Sequence, residues 1–227
     1  MKTCKYITIV FFGFLCITAS AQDDSNNNSN NNSEKKSSRD AKHSLVFGLK
    51  AGANRSNVYD EEGKDFVAGA KTGFAGGAFL SIPIGGFLGV QPEVLISQKG
   101  FKSSGTIDSS SYNLQRTSTF LDIPLQIQLK PFRFLSILGG IQYSYLLNQQ
   151  DQISFGPNSI EQNKEFKNDN IRRNIFGAVG GFDINISHLV LSGRAGWDLS
   201  ANRGDGSSYT PRYKNFWVQG TVGIRIY

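Results

Sequence analysis

Cysteine is nearly absent. The only two, Cys4 and Cys16, lie within the first 20 residues. If that segment is removed, as argued below, the remaining chain can form no disulfide, and thiolate metal sites and thiol nucleophiles are excluded. Histidine is equally scarce, with His43 and His188 alone, so a histidine-based triad needs distant partners that the sequence does not place. No long uniformly apolar run follows residue 20, and no stretch beyond residue 43 carries a helical period. A membrane-spanning helix in the folded part is thereby excluded. Charge of one sign is also lacking: the formal +6 is small and scattered, which argues against a nucleic-acid partner.

What is present begins with Lys2 and Lys5, then 6-YITIVFFGFLCITAS-20 and Ala19-Ser20-Ala21. A charged start, a short apolar middle and an A-x-A end predict a secretory signal peptide over 1–21. Residues 22–43 are rich in Asn and Ser and poor in apolar side chains, which predicts a disordered periplasmic tether. Its four acids (Asp23, Asp24, Glu34, Asp40) cancel its four bases (Lys35, Lys36, Arg39, Lys42). Residues 44–227 remain as one folded domain.

Within that domain, 120-FLDIPLQIQLKP-131 alternates strictly. Leu121, Ile123, Leu125, Ile127 and Leu129 form one face of a β-strand; Asp122, Pro124, Gln126, Gln128 and Lys130 form the other. Eight such segments are predicted, over 44–54, 70–83, 86–99, 115–130, 132–147, 173–187, 188–200 and 213–227. Tight turns at 83–86, 131 and 187–188 alternate with long polar connections at 55–69, 100–114, 148–172 and 201–212. Outer-membrane barrels show this asymmetry, with short periplasmic turns, long external loops and an even strand number. The polar faces hold Gly, Ser and Gln with isolated charges, as a narrow lumen requires. The expected fold is therefore all-β: an eight-stranded antiparallel up-and-down transmembrane β-barrel in the outer membrane, its leucines facing lipid. The alternative is a soluble, lipocalin-like barrel with Leu121, Ile123, Leu125 and Ile137 lining an apolar ligand cavity.

Parity then assigns the lumen. Lys50, Glu93, Asp122, Asp183, Arg194, Asp198 and Arg225 are expected to point inward with several glutamines, and to satisfy one another in a structural polar network. Eight strands leave an interior just wide enough for side chains to fill, so a plug is expected, and a wide pore is not. A carboxylate pair of Glu93 with Asp122 or Asp183 is the one arrangement suited to acid–base work; salt bridging to Lys50 and Arg194 is the commoner outcome. No catalytic residue, metal ligand or cofactor is expected. Tyr143, Tyr145, Trp197, Phe216 and Tyr227 fall near strand ends, where interfacial girdles lie. The 148–172 connection, with Phe155, Ile160 and Phe166, is the expected partner-contact loop.

Three segments, 48-GLKAGANRSN-57, 91-QPEVLISQKG-100 and 120-FLDIPLQIQLK-130, resemble signatures of the PorT family of outer-membrane β-barrels of Bacteroidetes. Asp122 stands where that family usually has Glu, and Val94 where it has Leu. The resemblance implies the same barrel architecture over 44–227 and, from the family's namesake, an accessory part in type IX protein secretion. The expected partners are outer-membrane lipid and periplasmic or secretion-system proteins.

Overall fold

The computed structural model describes residues 45–62, 67–107, 110–155, 158–163, 172–202 and 212–226. The expected signal peptide and tether, with His43, lie outside the described residues, as do Phe166 and Tyr227.

Nine strands are described: β1 (Val46–Glu62), β2 (Val67–Pro83), β3 (Leu88–Ile107), β4 (Ser110–Leu129), β5 (Leu135–Phe155), β6 (Asn158–Asn163), β7 (Asn174–Ile186), β8 (Leu189–Asp198) and β9 (Arg212–Ile226). Each pairs antiparallel with its neighbour, in the order β4-β3-β2-β1-β9-β8-β7-β5-β6, and a β4–β5 ladder closes the ring. Eight strands therefore form a closed barrel. The short β6 lies outside the ring and, among the described residues, pairs with the far end of β5, from Gln150 to Phe155.

The alternation places the aliphatic side chains outside. Ile127 is 58% exposed, Leu125 50% and Ile141 62%. The facing residues Gln126, Gln128 and Gln142 are buried inside. The lipocalin-like alternative fails on this point, because Ile123, Leu125 and Ile137 line no cavity and point away from the axis. Tight turns at 84–87, 131–134 and 187–188 share one end of the barrel with the start of β1 and the end of β9.

The structure departs from the sequence reading at the opposite end. Most of the expected loops 55–69, 100–114 and 148–172 are strand: β1 runs to Glu62, β2 starts at Val67, β3 runs to Ile107, β4 starts at Ser110, and β5 runs to Phe155. The reason is visible on the outer surface. On β4 the outward residues are aliphatic from Leu121 to Leu129, nine positions, about the 9–11 that a tilted strand needs to cross the hydrocarbon. Beyond them the outward residues turn polar, at Thr119, Thr117, Gln115 and Asn113. The same switch occurs on β3 from Ile96 to Gln98 and Lys102, and on β5 from Leu147 to Asn148, Gln150 and Gln152. Above the membrane the outward face of a strand is polar, the continuous outward aliphatic stripe ends, and the segment resembles a loop in sequence although its ladder continues.

An aromatic girdle marks the boundary. Trp197, Phe216 and Phe176 are exposed there; Phe176 stacks at a tilt on Tyr143 with ring centroids 5.4 Å apart. The Tyr59 hydroxyl donates to the Asp198 carbonyl at 2.5 Å. Leu125→Arg, in the middle of the aliphatic band, is expected to lower folding stability in lipid vesicles by about 2–4 kcal/mol, whereas Thr119→Arg at the boundary should cost about 0–1 kcal/mol. Urea titrations followed by gel-shift of the folded barrel measure the two values, and equal costs would contradict the assigned membrane level.

Candidate functional site

The lumen is where sequence and fold converge, because most inward polar groups there have lost water. Burial of an unpaired charge is costly, so each fully buried charge needs a partner across the barrel. Four levels can be followed from the tight-turn end.

At the first level the interior opens into a vestibule lined by Ser81, Gln128, Lys130, Ser136 and Arg225. The Ser81 hydroxyl donates to Gln128 Oε1 at 2.6 Å. The second level is a charge cluster. The Lys50 ammonium is paired with Glu93. Arg194 Nη2 lies 2.8 Å from Asp183 Oδ1 and 3.5 Å from Glu93 Oε1. Gln91 Nε2 bridges the two acids, donating to Glu93 at 2.9 Å and to Asp183 at 3.2 Å. Arg194 Nη1 donates to the Phe182 carbonyl at 2.7 Å.

The third level centres on Asp122. Its carboxylate accepts from Ser97 and Ser144, both at 2.5 Å, and lies 3.1 Å from Lys99 Nζ. The Lys99 ammonium also sits 4.9 Å from the Phe120 ring centre and 5.3 Å from that of Trp217, within the range of a cation–π attraction. Nearby, Asp198 accepts from the Asn215 side chain at 2.5 Å and from its backbone N–H at 3.2 Å. The fourth level closes the far end above the aliphatic band. Arg116 makes a bidentate pair with Asp151, Nε to Oδ1 at 2.7 Å and Nη2 to Oδ2 at 2.8 Å, the fork geometry that suits guanidinium. Its carbon centre lies 5.6 Å from the Phe101 ring and 5.9 Å from that of Tyr213. Phe101 and Tyr213 pack edge to face with Val58 and Leu114 beside them.

All seven charged residues expected in the lumen point inward, and six are buried; Arg225, in the vestibule, is half-buried. They do not form one network. Lys50, Glu93, Asp183 and Arg194 meet at one level and Asp122 at the next, while Asp198 is held by Asn215. Glu93 and Asp183 are brought together only through Gln91 and Arg194, and Asp122 is not part of that group. Three members were missed by the sequence reading: Lys99, Arg116 and Asp151. Lys99 shares parity with Glu93, and Arg116 with Asp122, so both were accessible to the alternation argument. Asp151 was not, because the β4–β5 register slips between Thr119 and Phe120. Across that bulge the inward positions of β5 change from even (Gln142, Ser144, Leu146) to odd (Gln149, Asp151).

A protein family described as "Outer membrane protein beta-barrel domain" matches residues 20–202. The chain belongs to this family. Its place is the outer membrane, as the aliphatic outer face of the barrel requires. No curated protein matches the chain. Among solved structures it is similar to Ail, the attachment invasion locus protein of Yersinia pestis (12% identity, 80% of this chain and 98% of that one, TM-score 0.42). It is likewise similar to Neisserial surface protein A (11%, 79% and 97%, 0.44) and to OprG from Pseudomonas aeruginosa (10%, 82% and 98%, 0.41).

The second level supplies a test. Glu93→Gln leaves Lys50 without its acid in a dry site, and removing one member of a buried pair costs about 3–5 kcal/mol. Adding Lys50→Met restores neutrality, since Arg194 keeps Asp183, and should recover most of that loss. A double-mutant cycle in vesicles measures the coupling; additive losses would contradict the pairing.

Proposed function

We propose that this protein is a non-conducting outer-membrane anchor that presents the extended, water-exposed ends of β3, β4 and β5, with β6 beside them, as an interaction surface outside the cell. The observation that carries this reading is the continuation of the ladder beyond the aliphatic band, with Thr117, Gln115, Gln150 and Gln152 facing outward. Rigid, paired strands in water need inward filling of their own, and Phe101, Tyr213, Arg116 and Asp151 provide it. The same filling blocks the axis against solute. A catalytic role finds no support, since among the described residues each buried carboxylate is engaged: Glu93 and Asp183 by Arg194, Asp122 by Lys99, Asp151 by Arg116 and Asp198 by Asn215. The tight turns are assigned to the periplasm because the chain beyond the aliphatic band is short at their end and long, strand extensions included, at the other.

Two measurements test this. In planar bilayers the purified protein is expected to show no steady single-channel current, and a stable open level would overturn the plugged lumen. Cysteine occurs natively only at Cys4 and Cys16, so single-cysteine labelling is clean once that segment is removed. Gln152→Cys should react with a membrane-impermeant maleimide on intact cells, Gly85→Cys only after lysis, and Ile127→Cys in neither. Labelling of Gly85→Cys on intact cells would reverse the orientation.

A second reading rests on the three segments resembling the PorT family, 48–57, 91–100 and 120–130. They support an accessory role in type IX secretion, with a periplasmic or secretion-system protein as partner. Deleting the gene and assaying exported proteins separates the two, since normal export removes this second reading.

A further inference from the structure

We propose that the vestibule at the tight-turn end is a binding site for a phosphate group, carried most favourably on an amphiphile. The cavity measures about 580 Å³, within the 300–1,000 Å³ range of small-ligand pockets. Three cations line it, Lys130, Arg133 and Arg225, against one acid, Asp183. That acid is already paired with Arg194 one level deeper. Among the described residues no carboxylate lies within salt-bridge distance of any of the three. Among the described residues every fully buried lumen cation has its acid, whereas at the open end Lys130 and Arg225 are half-buried without one and Arg133 is exposed beside them.

Two further observations point to a ligand. Arg225 carries a buried Nε with no hydrogen-bond partner, a donor whose desolvation is uncompensated within the chain. Lys130 reaches only the Ser81 hydroxyl, at 3.4 Å, and its pKa is pushed down by burial and by the neighbouring Arg225 charge. Two like charges held together without a counter-ion are relieved by a dianion, and forked guanidinium donors match phosphate oxygens. The remaining wall is mixed, with Ser81, Gln128, Ser136 and Asn185 as polar groups and Val46, Phe79, Val190 and two further phenylalanines as apolar ones. Phe132 and Phe134 stack with centroids 5.6 Å apart and planes at 11°, more than half exposed at the mouth. A phosphate with an attached acyl or other apolar part would satisfy cations and rings together. This site is independent of the proposed role of the opposite end.

The test uses the folded barrel in phosphate-free maltoside micelles, titrated calorimetrically with inorganic phosphate and with dihexanoyl phosphatidic acid. Saturable binding is expected, weakened at least tenfold by Lys130→Gln and further by Lys130→Gln/Arg225→Gln. Lys102→Gln, at the opposite end, should leave it unchanged. Lys130 lies outside the strands, so its single variant stays informative even if the Arg225 change impairs folding. Phosphatidic acid binding at least tenfold tighter than inorganic phosphate assigns the site to a lipid headgroup, whereas equal affinities assign it to free phosphate. Absence of saturation with both probes, or equal weakening by Lys102→Gln, would overturn the proposal.

Discussion

Hydrocarbon offers no hydrogen-bond partner to a peptide group, and that constraint organises the whole molecule. Every N–H and C=O at membrane depth has to be paired within the chain, and a sheet can do this only by closing on itself. Closure is made here by two ladders, β1 with β9 and β4 with β5. Once the ring is closed, the two-residue period of each strand assigns half of the side chains to lipid and half to a narrow axis.

The axis then has its own rules. Parity alone places Lys50, Glu93, Asp122, Asp183 and Arg194 where water is largely excluded, and each would be costly there by itself. The barrel answers with discrete levels, each nearly balanced: two cations with two acids around Gln91, Lys99 with Asp122, and Arg116 with Asp151. Size is balanced in the same way. Gly196 sits against the indole of Trp217 and Gly48 against the ring of Phe79, so that a Cβ at either position would overlap its aromatic neighbour. Inward glycines are thus the complement of inward aromatics. The tight-turn end departs from this balance, with cations in excess and an open mouth.

The lipid-facing half of the fold was legible because hydrocarbon demands uninterrupted aliphatic residues at every second position. Residues 121–129 and the outward isoleucines of β5 showed this directly. Where the strands rise into water that demand lapses, and 100–107 and 148–155 looked like loops even though their backbone pairing continues. In the lumen, the seven charged positions followed from parity, and Lys99 and Arg116 obeyed the same rule. Asp151 lay beyond its reach: one extra residue in β5 at Leu147–Asn148 reverses inward and outward, and nothing in the local composition announces the slip.

The chain by itself determined which face of each strand meets lipid, where the tight turns fall and that the interior is polar, because these depend on neighbours two residues apart. Who pairs with whom was decided by the tertiary structure. Gln91 bonds to Asp183, 92 positions away, and Arg116 approaches Tyr213 at a separation of 97. Such contacts depend on the accumulated register of every intervening strand, and one bulge shifts them all.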